Sequence, residues 1–274
     1  MVKIIVFDLD GTLYDSHKHI DNDTIHKIIE LEQKGIVVGI VTGRFYEELG
    51  EVIKKLKLRE YKGFVASSNG LEIHDFLDGE TKSFTRLSKD EVREIAKEAK
   101  KHHLISYVWQ NGGYTMFDVS VMNIVKKIFS LVPLNSHYIK SLQKTKFEKD
   151  VVLNNSFYDK VCFAGITIPK FKTSVLKHHP QYRFYDVGKV GTELCKRDVG
   201  KLEAIRYICQ KKHVSISSVM AFGDNGNDVD LLASCGYGVA MKNGSAQAKK
   251  VAKHISDYTN NESGVLQFMN LFFG

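Results

Sequence analysis

The sequence predicts an α/β protein: a doubly wound parallel-sheet, Rossmann-like core with an α+β domain inserted into it. Three observations carry this. Short apolar runs alternate with helical patterns over residues 1–70, as βαβ units require. Over residues 71–197 the pattern changes to closely spaced β-branched and aromatic runs, which read as hairpins of an antiparallel sheet. The alternation then resumes, so residues 1–70 and 198–274 are expected to fold together as one discontinuous domain around the insert.

In order, the first strand is the apolar run Ile4, Ile5, Val6, Phe7. Asp23 is placed to cap a helix carrying Ile25, Ile28, Ile29 and Leu31, which ends at Gly35. A strand from Ile36 to Val41 follows, then a helix with Leu49, Val52, Ile53 and Leu56, then a strand from Phe64 to Ser67. Inside the insert, Ser88-Lys89-Asp90-Glu91 has the form of a capping box ahead of Val92, Ile95, Ala96 and Ala99 at helical spacing. Strands are expected at Ile105 to Trp109, Tyr114 to Phe117, Val161 to Thr167, Tyr182 to Val187 and Val190 to Leu194, with a helix near Val121 to Leu131. The second half of the core reads as a helix from Lys201, the strand Val219 to Phe222, the helix Val229 to Ala233, the strand Tyr237 to Met241, the helix Ala246 to Ala252 and an amphipathic segment from Val265 to Phe272.

Four segments concentrate the polar chemistry. Asp8 and Asp10, in Phe7-Asp8-Leu9-Asp10-Gly11-Thr12, follow an apolar strand, where uncompensated charge is costly. Residues at i and i+2 share a face, so both carboxylates aim at one spot if the backbone stays extended; alone, the pair also fits an ordinary strand-to-loop turn. Thr42-Gly43-Arg44 ends a second strand, and its hydroxyl and free N–H groups suit either a phosphate oxygen or a helix cap. Lys201 falls in the first turn of a helix, where the macrodipole disfavours a cation unless an anion is nearby; it also reads as a surface lysine. Gly223-Asp224-Asn225-Gly226-Asn227-Asp228 gathers two carboxylates and two amides after a third strand, oxygen donors of the kind Mg²⁺ takes. An EF-hand is excluded because the later acidic ligand and the preceding helix are missing.

In this order, the four segments resemble the motifs of the haloacid dehalogenase-like hydrolase superfamily, and Ser68-Asn69-Gly70 with the long insert resembles its Cof-type phosphatase branch. The resemblance spans nearly the whole chain. One position departs from it: the branch often has Gly after the motif lysine, and Leu202 stands here. The resemblance implies a Mg²⁺-dependent phosphoric monoester hydrolase acting on small phosphorylated metabolites. Asp8 would be the nucleophile and Asp10 the general acid and base. Asp8, Asp224 and the Asp10 backbone carbonyl would hold the metal, with Asn227 and Asp228 shaping its surroundings. Thr42, Gly43, Lys201 and Asn227 would hold the phosphate, with Lys201 counted among the catalytic residues, and the insert would act as a specificity cap. A sugar phosphomutase and a non-catalytic phosphate-responsive module are the alternatives. A mutase would isomerise its substrate without releasing phosphate, and a receiver-type module, which also clusters aspartates, would lack both the insert and a second aspartate placed as an acid.

Composition agrees with an ordinary globular protein: 43% hydrophobic and 26% charged residues in 274. No apolar run approaches the roughly 20 residues that span a bilayer, so no membrane association is expected. Cys162, Cys195, Cys209 and Cys235 form no CxxC pair and read as small core residues of a cytoplasmic protein. The net charge of +7 is spread over helix faces without a nucleic-acid-binding motif, so the expected partner is a phosphate ester rather than nucleic acid. His137, His178 and His179 read as surface histidines, and Trp109, Tyr107 and Tyr114 as a cluster in the insert's core. Oligomeric state is not encoded in any of these patterns.

Overall fold

The computed structural model describes residues 1–110, 113–117, 146–148, 153–187 and 190–274. They divide into two compact units, Met1–Phe84 with Asp198–Gly274, and Thr85–Arg197.

The first unit is built on an eight-stranded sheet. β1 (Ile4–Phe7) lies at its centre, paired in parallel with β2 (Val37–Val41) on one side and β14 (Val219–Gly223) on the other. β3 (Phe64–Ser67) continues the sheet beyond β2, while β15 (Tyr237–Ala240) and β16 (His254–Ile255) extend it beyond β14, all in parallel. Chain order therefore reverses at the β1–β14 boundary, the place where open α/β sheets bind ligands.

Strand alternation sorts the core into two layers. Ile5 and Phe7 pack on one face with Ile28 and Leu31 of α1 (Asn22–Gln33), Val52 and Ile53 of α2 (Gly50–Lys55), and Val265 and Met269 of the C-terminal helix Gly264–Phe273. Ile4 and Val6 pack on the other with Ile205 and Ile208 of the helix Lys201–Lys211 and with Leu231 and Leu232 of the helix Val229–Ser234. Helices on both faces are what a doubly wound sheet needs to bury both sides.

The core extends further than the sequence pattern indicates. β4 (Glu72–Asp75) and β5 (Thr81–Ser83) add antiparallel to β3, so the unit continues to Phe84 rather than stopping at residue 70. Ion pairs tie this hairpin to the helix Lys201–Lys211: Lys212 Nζ is 3.0 Å from Asp75 Oδ1, and Lys211 Nζ is 2.6 Å from Asp78 Oδ2. The α1 cap is Asp21, which accepts from Thr24 N at 2.9 Å; Asp23 lies one turn position inside, where its charge suits the helix N-terminus.

The second unit carries a six-stranded sheet, β12 (Tyr182–Val187), β13 (Gly191–Lys196), β11 (Val161–Ala164), β7 (Ile105–Gln110), β8 (Gly113–Phe117) and β9 (Lys146–Glu148) in spatial order. It is antiparallel except between β8 and β9. The short strands β6 (Leu87–Ser88) and β10 (Phe157–Tyr158) pair separately. The Ser88–Glu91 capping box is present and opens α3 (Lys89–Lys101). α4 (Ile168–His178) takes up chain that the sequence pattern left unassigned; Pro169 opens it, and Ile168, Phe171 and Val175 form its buried stripe. β11 accordingly stops at Ala164 instead of reaching Thr167. The expected helix at Val121 to Leu131 and His137 lie outside the described residues. The four cysteines are buried and none is in a disulfide, as small core residues should be. Among the described residues no helix is long and apolar enough to cross a membrane.

In chain order the remaining helices of the first unit are α5 (Lys201–Lys211), α6 (Val229–Ser234), α7 (Ala246–Val251) and α8 (Gly264–Phe273).

Candidate active site

The site lies at the carboxyl ends of β1 and β14. Asp8 directly follows β1 and its N–H donates to the Phe222 carbonyl at 3.0 Å, so the strand pairing itself positions it. By strand alternation Asp8 shares the face of Ile4 and Val6, the face covered by α5. Lys201 is the first residue of α5, and its ammonium donates to Asp8 Oδ1 and to Asp228 Oδ1, both at 2.6 Å. Lys201 and Asp228 are 1% and 0% exposed, and two of the three N–H donors of this buried ammonium go to carboxylates. The anion that the position of Lys201 called for is therefore supplied by the protein itself.

Asp228 accepts three hydrogen bonds. Besides Lys201, its other oxygen accepts from the backbone N–H groups of Asp224 and Asn225, each at 3.0 Å. It shapes the Asp224 loop rather than offering an open coordination position. Asp224 Oδ1 accepts from the Thr12 hydroxyl at 3.1 Å. Gly11 makes this approach possible: its φ is +83°, and a Cβ there would lie 2.5 Å from Asp224 Oδ2. Asn243 Nδ2 donates to the Gly11 carbonyl at 2.7 Å and pins the same turn.

Oxygens of Asp8, Asp224 and Asp228 lie within 4.8 Å of one another. One ammonium faces three carboxylates. Burial is the largest cause pushing Asp8 up to about 8, with Asp228 and Asp224 adding to it against the opposing charge of Lys201. Burial, then the Asp228 charge, push Asp224 up to about 6. Lys201 is held charged, its pKa raised by Asp228 and Asp8 against the cost of burial. Such a cluster favours a divalent cation, which would lower both carboxyl groups back into their ionised range. The open oxygens of Asp8 and Asp224 fit Mg²⁺, a hard ion that takes few carboxylates and keeps several waters.

Asp10 does not join this cluster. The chain leaves the extended conformation after Phe7, so the i, i+2 rule does not bring the two carboxylates to one spot. Arg44 grips Asp10 as a fork, with Nε to Oδ2 and Nη2 to Oδ1 both at 2.6 Å, and Lys18 stands 3.6 Å away. Burial alone would raise the Asp10 pKa, but the hydrogen bonds and charge of Arg44, helped by Lys18, hold it below the usual range. The Arg44 partnership is the main feature that the sequence did not show, although Arg44 stood in a recognised motif.

Thr42 is 1% exposed, and its hydroxyl accepts from Arg44 N at 3.3 Å, so it organises its own loop in the present structure. Gly43 lies against Asn69: a Cβ there would be 3.1 Å from Asn69 Oδ1. Asn227 Nδ2 donates to that same oxygen at 2.9 Å.

With this geometry established, the match to known proteins is direct. The haloacid dehalogenase-like hydrolase family covers residues 5–269. The HMP-PP phosphatase of Serratia proteamaculans is 27% identical, over 92% of this chain and 88% of its own. The 5-amino-6-(5-phospho-D-ribitylamino)uracil phosphatase of Bacillus subtilis is 26% identical, over 98% of this chain and 97% of its own. A solved phosphatase of the haloalkanoate superfamily from Bacteroides thetaiotaomicron shares the fold, with a TM-score of 0.77 and 21% identity over 100% of this chain and 96% of that one. The chain belongs to the haloacid dehalogenase-like hydrolase family. It is an enzyme, a phosphatase of that family.

Proposed function

We propose that this phosphatase hydrolyses small phosphorylated metabolites, such as sugar, nucleotide or cofactor phosphates, with Mg²⁺ and through an aspartyl-phosphate on Asp8. The observation that carries the reading is the buried Asp8 at the sheet's switch point, bonded to Lys201 and beside Asp224. A carboxylate is a competent phosphoryl acceptor there. Asp8 and Asp224 would hold the metal, with the Asp10 carbonyl as the further ligand. The metal would neutralise phosphate and carboxylate charge so that the two can approach.

The steps follow from the residues. An Asp8 oxygen attacks phosphorus in line with the ester oxygen. The P–O ester bond breaks, and its electron pair leaves with the alcohol oxygen, which takes a proton from Asp10. Asp10 then accepts a proton from water as that water attacks phosphorus, and the bond to Asp8 breaks with its pair returning to the carboxylate. Lys201 keeps Asp8 oriented and offsets its charge. Thr42, the Gly43 N–H and Asn227 are the donors assigned to the phosphate oxygens. The relatives named for a phosphorylated ribitylaminouracil and for HMP-PP support a phosphometabolite as substrate. Discrimination among leaving groups is assigned to residues 85–197, since the core residues above would contact only phosphate and metal.

The test is a phosphate-release screen of the full chain over a phosphometabolite panel, with and without Mg²⁺. Release from at least one ester, dependent on Mg²⁺, is expected. Isomerisation of a sugar phosphate without release would identify a mutase instead, and no turnover of any ester would refute the reading.

A further inference from the structure

Ser68, Asn69 and Gly70 have φ of +48°, +59° and +87°. Three consecutive left-handed residues, two of them not glycine, form an unfavourable backbone conformation that persists only where the surroundings fix it. Here they are all buried. The turn touches three of the four segments of the site. Asn69 N donates to the Thr42 carbonyl and Ser68 N to the Arg44 carbonyl, both at 2.8 Å. Gly70 packs on the Gly200 carbonyl and on Ala204, leaving no room for a Cβ where α5 begins with Lys201. Asn69 Oδ1 accepts from Asn227 Nδ2. The strained turn thus links the Thr42 loop, the start of α5 and the loop after β14.

We propose that Asn69 is a positioning residue for catalysis. Its side-chain oxygen takes one N–H of Asn227 and so fixes the Asn227 amide plane, leaving the second N–H of that nitrogen in a set direction for a phosphate oxygen. The left-handed turn that carries Asn69 holds the Thr42 loop at the same time. Asn is suited to the position because it tolerates left-handed φ and supplies an acceptor, which glycine cannot do. The inference rests on the phosphatase reading and adds a residue to it.

The test compares Asn69→Gly, Asn69→Asp, Asn227→Ala and the double variant Asn69→Gly/Asn227→Ala in the full chain. Glycine relieves the strained φ, so Asn69→Gly should melt no lower than the parent. Its kcat/KM should nevertheless fall by about 10- to 100-fold, the usual range when a group that orients a site residue is lost. The double variant should lose no more than Asn227→Ala alone, because both changes break one linkage. Asn69→Asp keeps an acceptor oxygen at the same place and should recover part of the loss, which a purely structural role would not produce. Calorimetric titration with inorganic phosphate gives a second readout and should show the same non-additivity. Parent-like kinetics in a folded Asn69→Gly enzyme, or losses that multiply in the double variant, would overturn the proposal. If the parent released no phosphate from any ester, the phosphatase reading would fail, and the phosphate titration would still decide whether Asn69 and Asn227 act as one.

Discussion

Glu32 should make the protein less stable as pH rises, and replacing it should remove that loss. The residue is 6% exposed, and neither of its carboxylate oxygens has a hydrogen-bond partner among the described residues. It sits in the last turn of α1, where the helix dipole also disfavours negative charge. Burial is the main cause pushing its pKa up from 4.5 to about 8, with the Glu60 charge adding to it. The sign follows directly. At low pH the group is protonated in both folded and unfolded states and costs nothing. Above 4.5 the unfolded chain ionises while the folded one does not, so folding is penalised increasingly until the folded carboxyl ionises near 8, and the penalty is constant beyond. Converted in full, the shift would correspond to about 5 kcal/mol. Relaxation and water penetration around the ionised group reduce this, and about 2 kcal/mol is the discounted magnitude. Glu32→Met keeps the shape and removes the charge. Urea unfolding at pH 5 and pH 9 is the assay: the variant should gain about 2 kcal/mol over the parent at pH 9 and much less at pH 5. A difference between the two proteins that does not change with pH would refute the reasoning, because every other titrating group is shared.

Asp8→Asn should abolish turnover, since an amide cannot accept the phosphoryl group; residual phosphate release above about one per cent of the parent would contradict the covalent role. Asp10→Asn should lose far more activity on an alkyl phosphate than on p-nitrophenyl phosphate, whose leaving group needs little protonation, and equal losses on both would count against Asp10 as the acid. EDTA should remove activity and Mg²⁺ restore it, and Mg²⁺ should raise the melting temperature because a bound ion stabilises the folded state by mass action. Asp224→Ala should weaken both responses, as measured by the Mg²⁺ concentration for half-maximal activity; an unchanged requirement would rule out Asp224 as a ligand.

The core's strands and helices and the candidate site segments were legible because their signals are local. Ile4 to Phe7 is an apolar run ending in charge, Ser88 to Glu91 is a reciprocal cap, and Lys201 opens a helix with its apolar stripe at the right spacing. What escaped depends on partners distant in sequence. β4 contains only Ile73 as an aliphatic residue, so Glu72-Ile73-His74-Asp75 reads as a polar connection until pairing with β3 and ion pairs to Lys212 bring it into the core. α4 was hidden because it starts directly after a β-rich run, with Pro169 as its only sharp signal. The cap of α1 moved by two residues, from Asp23 to Asp21, because either aspartate precedes the same periodic stripe. Arg44 could not be matched to Asp10 from sequence, since an ion pair across 34 positions leaves no periodic trace.

The two aspartates of the first motif thus differ by environment rather than by residue type. Asp8 is buried among carboxylates with one shared ammonium, so its charge is costly, and a cation or a phosphoryl bond relieves that cost. Asp10 is half exposed and answered by a guanidinium fork, so its charge is favoured in the resting enzyme. The fork favours the ionised carboxylate, so Asp10 has to be free of it to carry the proton for the leaving alcohol, regains it once that proton is given up, and loses it again on taking a proton from water. On the mechanism proposed above, Arg44 would hold resting Asp10 as a carboxylate, and the acid step would require the Arg44–Asp10 contact to loosen when substrate is bound.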